Sequence, residues 1–251
     1  MTNRNSLLLV LAFCTGLLVG LIPIIIFFGE VFQGAQATHL STPTFEESSA
    51  VASIVAVSSD GFGLVGKAIV EIKDGKGRVL FNTNPFVEPD TQYSIEVAKE
   101  VAERFTRVSL AEKDLVYSIE APKAQLIGGP SAGAALCVAT IAAIQGKKVR
   151  SDVAITGTIQ QNGSIGQVGG ILEKAQAAGE SGFKFFLVPS GQKNVVVYEK
   201  KETEQRGKGI IVKKIYYEPK IVDLNELMFE QYGLQVIEVS NIEELASIAL
   251  E

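Results

Sequence analysis

Tryptophan is absent from these 251 residues, histidine occurs once and cysteine only twice. Each scarcity removes a class of function. Without tryptophan, recognition through a large aromatic platform is weakly supported. The single His39 lies ahead of Pro43 in a linker-like stretch, with no base partner or metal co-ligand beside it. That sets aside most Ser-His schemes and any histidine-built zinc site, so no metal is expected. Cys14 and Cys137 sit in apolar runs without metal spacing or a disulfide framework, and read as small buried hydrophobes. Positive charge is also short: 23 Lys and Arg against 28 Asp and Glu give a net charge of −5 and a pI near 5.2. A nucleic-acid partner would want a basic stripe, so none is expected.

What is present begins with an apolar amino end. Leu7–Phe28 is 22 residues without a charge, enough for ~33 Å of helix at about 1.5 Å per residue. It predicts a membrane anchor within residues 1–30, longer than the apolar core of a secretory signal. Ala35-Gln36-Ala37 resembles a cleavage site, so a secreted product of signal cleavage stays open as the alternative. Arg4 precedes the span and no Lys or Arg follows it until Lys67. The positive-inside rule then puts the amino end in the cytoplasm and the rest outside it, as a single-pass membrane protein. Residues 31–49, rich in Ser, Thr, Ala and Gly, read as a linker.

From about residue 50 the pattern is that of a globular domain. Val51–Val57, Leu64–Ile72 and Val79–Asn82 are rich in Val and Ile and are separated by glycine turns, which predicts an antiparallel meander. Asp90 is expected to cap a helix carrying Ile95, Ala98, Ala102 and Phe105. Strands are expected at Leu115–Ile119, Val153–Thr158 and Phe185–Val188, with a hairpin turn at Gln161–Ser164 and a short helix at Ile171–Glu180. The charged stretch Glu199–Lys208 reads as a solvated loop before a strand at Ile210–Tyr217. Asp223 with Glu226, and Asn241 with Glu244, look like caps of two closing helices. The order predicts an α/β (α+β) fold with a mixed sheet, a core over 50–191 and a strand-helix extension over 192–251 packed on it.

Two places carry chemistry. Gly128-Gly129-Pro130-Ser131-Ala132-Gly133 is a tight turn that delivers a serine to the start of a helix apolar on every side, Ala132–Ile144. Ser131 there is either a helix cap or a nucleophile beside orphan backbone N–H groups. The second place is Lys174. It shares its helix side with Ile171, Ala177 and Ala178, while Glu173, Gln176 and Glu180 take the other. A lysine on an apolar face either snorkels to water or loses its proton to desolvation, and a neutral amine can take a proton from a serine.

Gly129-Pro130-Ser131-Ala132-Gly133, then Thr156-Gly157, then Gly169-Gly170-Ile171-Leu172-Glu173-Lys174-Ala175 resemble the proteolytic domain of Lon-type proteases. The similarity is strong over Ala121–Pro189. The resemblance implies a Ser-Lys dyad hydrolase, a serine endopeptidase in which Ser131 is the nucleophile and Lys174, 43 residues later, the general base. It also implies that Thr156 orients the lysine, and that the domain assembles as a homo-oligomeric ring, a hexamer. The oxyanion is expected on the backbone N–H groups of Ser131 and Ala132. The family's acidic residue just before Gly-Pro-Ser is a glycine here, and its usual glutamate after Thr-Gly is Thr158.

Lon enzymes couple proteolysis to an ATPase, but no Gly-x4-Gly-Lys-[Ser/Thr] segment occurs in this sequence. The expectation is hydrolysis of unfolded or membrane-proximal polypeptides without an ATPase of its own and without cofactors, any energy-driven unfolding coming from a separate ATPase partner. The rival expectation is a catalytically silent Lon-like scaffold tethered to the membrane.

Overall fold

The computed structural model describes residues 47–82, 86–121, 126–207 and 210–251. Thirteen strands are found among them: β1 (Ser48–Val57), β2 (Gly63–Asp74), β3 (Val79–Phe81), β4 (Phe86–Val87), β5 (Lys113–Glu120), β6 (Leu126–Ile127), β7 (Val153–Ile155), β8 (Thr158–Ile159), β9 (Ile165–Gly166), β10 (Phe185–Pro189), β11 (Asn194–Gly207), β12 (Ile210–Asp223) and β13 (Gln235–Val239). The helices are α1 (Pro89–Thr106), α2 (Gly133–Gln145), α3 (Ile171–Glu180), α4 (Leu224–Tyr232) and α5 (Ile242–Ala249).

Seven strands form one mixed sheet in the order β13-β10-β7-β1-β2-β5-β3. The pairs from β13 through β10 and β7 to β1 are parallel, and β1-β2 and β2-β5 are antiparallel. The α/β class with a mixed sheet is as the sequence implied. The meander is not: β3 pairs parallel with β5, which lies between it and β2. Its apolar run is compatible with either neighbour, and the longer β5 takes the edge of β2.

Strand side chains alternate between two faces, and that period divides the core in two. Ile54, Ile155 and Leu187 face α1, α2 and α5, whereas Val55, Ala154, Phe186 and Val188 face α3 and α4. α2 is buried from Gly133 through Ile144, which explains its all-round apolarity. Its small residues let it lie close on β1 and β2 beneath α1. Leu136 and Ile141 are fully buried there, each stabilising by ~1.5–3 kcal/mol relative to exposure.

Two further local expectations change. Asp90 lies inside α1, whose N-cap is Glu88 with Pro89 in the first turn; the fixed φ of proline starts the helix earlier. Glu199–Lys208 is no loop, since β11 runs through Gly207 and pairs residue by residue with β12. Both faces of a two-stranded ribbon can meet water, so charged residues there carry no inward-outward signal. The caps at Asp223 and Asn241 do form: Asp223 accepts from the Asn225 and Glu226 N–H groups, and Asn241 from Glu244. Thr158–Ile159 and Ile165–Gly166 pair around the expected turn. Among the described residues no helix is long and apolar enough to cross a membrane. Leu7–Phe28 lies outside them.

Candidate active site

Ser131 sits in a single 3-10 turn, Pro130–Ala132, ahead of α2. Gly129 enters that turn at φ 85°, ψ 150°, a conformation that essentially only glycine adopts. The first helical bond is donated by the Gly133 N–H to the Pro130 carbonyl. The N–H groups of Ser131 and Ala132 therefore precede the ladder, as the opening donors of a helix do. No side chain caps either the turn or α2. The reading of Ser131 as a helix cap thus falls away, because its hydroxyl makes no such bond.

The turn is held from two sides. Behind it, the Gly157 N–H donates to the Ser131 carbonyl at 2.9 Å and the Ala134 N–H donates to the Gly157 carbonyl at 3.0 Å. In front, the hydroxyl of fully buried Thr91 donates to the Gly129 carbonyl at 2.9 Å, and the Gly129 N–H reaches Asp90 Oδ1 at 3.3 Å. Glu88 lies closer still to Gly128, where a Cβ would fall 2.0 Å from Glu88 Oε2. Asp90 and Thr91 are supports that sequence reasoning missed. An acid and a hydroxyl at a helix start look like capping residues, and nothing local marks a contact 38 residues away.

Lys174 is carried on α3, which begins at Gly170 in the left-handed conformation. The lysine is 4% exposed and shares its buried face with Ala177 and Ala178, as the helical spacing implied. Burial alone lowers its pKa from the ordinary lysine value of 10.5 to about 8. Its Nζ donates to Thr156 Oγ1 at 3.3 Å, and that hydroxyl donates in turn to the Ser131 carbonyl at 3.4 Å. Thr156 follows the carboxyl end of β7, is fully buried, and is fixed by its N–H to the Leu187 carbonyl at 3.0 Å.

Thr156 therefore brings the lysine helix and the serine turn together. No hydrogen bond joins Ser131 Oγ to Lys174 Nζ among the described residues. Beside the turn, Ile159 packs on Gly133, and a cleft of about 440 Å³ opens between Tyr93 and Val97 of α1 and Ile159–Asn162. Among the described residues no cluster of His, Cys, Asp or Glu could hold a metal ion.

Residues 94–216 match the family model of the Lon protease (S16) C-terminal proteolytic domain. This part of the chain is similar to a Lon-type proteolytic domain. The matched residues include Ser131, Thr156 and Lys174. The chain is 30% identical over 147 residues to the archaeal Lon protease of Methanocaldococcus jannaschii, covering 54% of this chain and 22% of that protein. It is 29% identical over 181 residues to the Lon protease of Buchnera aphidicola subsp. Acyrthosiphon pisum, 70% of this chain and 20% of that protein. Over 118 residues it is 32% identical to Lon protease of Escherichia coli K12, 46% and 15% respectively. The chain thus spans about a fifth of the length of the first two relatives. The likeness to Lon proteolytic domains supports a serine-type peptidase.

Proposed function

We propose that the Lon-like domain is a serine endopeptidase in which Ser131 is the nucleophile and Lys174 the general base. Neutral Lys174 takes the Ser131 hydroxyl proton as the oxygen attacks a peptide carbonyl. The proton then passes to the departing amine, and water hydrolyses the acyl-enzyme by the reverse sequence. The backbone N–H groups of Ser131 and Ala132 receive the oxyanion, helped by the amino end of α2. Thr156 orients the lysine.

The observation that carries this reading is a nearly dry lysine whose ammonium nitrogen bonds a threonine that also contacts the serine backbone. Ser131 and Lys174 are not hydrogen-bonded to each other, so productive pairing requires the two side chains to close on one another. That same gap is what favours the rival reading, a silent scaffold.

The substrates are unfolded or membrane-proximal polypeptides; Ile159, which packs on Gly133 behind the serine turn, also lines the cleft with Tyr93, Val97 and Gln160–Asn162. The domain is tethered through Leu7–Phe28 with the amino end cytoplasmic, and works as a homo-oligomeric ring. Protease protection in sealed cells tests the orientation: shielding of the carboxyl-terminal domain overturns the outward placement, and release into the medium points to signal cleavage. Incubation of the full chain with an unfolded protein, with and without ATP, tests the chemistry against Ser131→Ala and Lys174→Ala. Cleavage that survives both substitutions removes the dyad, and a parent that never cleaves leaves the scaffold.

A further inference from the structure

The loop that delivers α3 is held by a residue outside it. Gln167–Gly170 contains two glycines and has few side chains with which to fasten itself. Gln192, three residues beyond β10, presents the edge of its side-chain amide to Val168. Its Nε2 donates to the Val168 carbonyl at 2.7 Å, and the Val168 N–H donates to its Oε1 at 3.0 Å. One primary amide thereby supplies the pair of bonds that an adjacent strand would supply, satisfying both backbone groups of one residue. A weaker strut runs the opposite way, from Gln167 Nε2 to the Ser190 carbonyl at 3.4 Å.

The two loops lead to the two halves of the lysine's environment. Beyond Val168, the Gly170 carbonyl accepts the Lys174 N–H at 3.0 Å, in the first turn of α3. Before Ser190, the Leu187 carbonyl of β10 fixes the Thr156 N–H. The clamp therefore ties the segment that starts the lysine helix to the strand that holds the lysine's hydrogen-bond partner.

We propose that Gln192 is a positioning residue for Lys174, its amide pinning the Val168–Gly170 backbone so that α3 keeps the lysine dry and within reach of Thr156. The catalytic meaning rests on the reading of Lys174 as the base. Without the clamp, both backbone groups of Val168 turn to water and the start of α3 loosens. Water beneath the helix then rehydrates the ammonium. No charged group contributes to the lowered pKa of Lys174, whose cause is burial. Its titration therefore reports the dryness of the pocket.

The test is NMR titration of the full chain carrying ε-13C-lysine, with the Lys174 resonance assigned by its loss in Lys174→Met. In Gln192→Ala the midpoint moves up by about one pH unit from the parent value, and the acid limb of unfolded-protein cleavage moves with it, kcat falling more than KM rises. Gln192→Met keeps the length of the side chain without charge and loses both bonds, so it moves the midpoint by a similar amount. Asp152→Asn, which breaks the ion pair with Arg150 at 3.0 Å, controls for general loss of stability and leaves the midpoint in place.

An unmoved midpoint in a folded Gln192→Ala overturns the proposal, and if that variant does not fold, an unmoved midpoint in Gln192→Met does so. Cleavage retained by Ser131→Ala and Lys174→Met would instead sink the dyad, while the titration still reports on the clamp.

Discussion

Lys174 Nζ donates to Thr156 Oγ1 at 3.3 Å, and the threonine passes its one hydroxyl proton on to the Ser131 carbonyl. A hydroxyl has a single donor and two acceptor lone pairs, so this arrangement has a direction. When the lysine is neutral it still spends a hydrogen on Thr156. Its lone pair stays available for the Ser131 proton.

The pH dependence of cleavage follows from the lysine. Its pKa is about 8, and the base works only when neutral. Activity is expected to fall about tenfold per pH unit below that value and to level off above it. A profile of kcat/KM on an unfolded substrate checks this; a flat profile across the neutral range contradicts it.

The same burial has a stability signature. The unfolded chain keeps the Lys174 proton up to about 10.5, whereas the folded chain releases it near 8. Between those values the unfolded state binds more protons, so stability rises with pH, and below about 8 the full penalty is present. Lys174→Met removes a buried cation and is expected to be more stable than the parent at pH 6, on the order of 2–3 kcal/mol. Urea unfolding at pH 6 and pH 10 measures it, and a less stable variant at pH 6 would count against a desolvated lysine.

Thr156 separates orientation from packing. Thr156→Val keeps the volume and deletes both bonds of the hydroxyl, at a cost of about 10- to 100-fold in kcat/KM for a bond to an ionisable partner. Thr156→Ser restores the oxygen and should recover most of the rate. A larger loss in Thr156→Ser than in Thr156→Val would assign Thr156 a packing role.

Gly63 of β2 supports α3 from below. A Cβ there would lie 2.1 Å from the Glu173 carbonyl oxygen and 2.7 Å from Ala177 Cβ, and the first of these is helix backbone. Gly63→Ala must therefore push α3 away, costing about 1–3 kcal/mol as overpacking does. Thermal unfolding should show a lower midpoint together with weaker cleavage. An unchanged midpoint would mean that the helix yields freely.

How much of this was legible beforehand depended on whether the signal was local. The buried α2 announced itself by being apolar all round, and the inward face of Lys174 by its companions Ile171, Ala177 and Ala178. The caps at Asp223 and Asn241 were readable because a cap contacts residues two or three positions on. β3 was misplaced because an apolar strand does not say which neighbour it pairs with. β11 was missed because its Glu and Lys residues mark a solvated surface whether it is strand or loop. Thr91 against Gly129 and Gln192 against Val168 are contacts made only by the completed fold, between polar residues with ordinary surface roles elsewhere in sequences.

The most direct measurement is covalent trapping of the nucleophile with a fluorophosphonate, located by peptide mass mapping. The account predicts a single adduct on Ser131 that forms faster as pH rises through about 8 and is lost in Lys174→Met. An adduct elsewhere, or labelling of Ser131 at an undiminished rate in Lys174→Met, would contradict it.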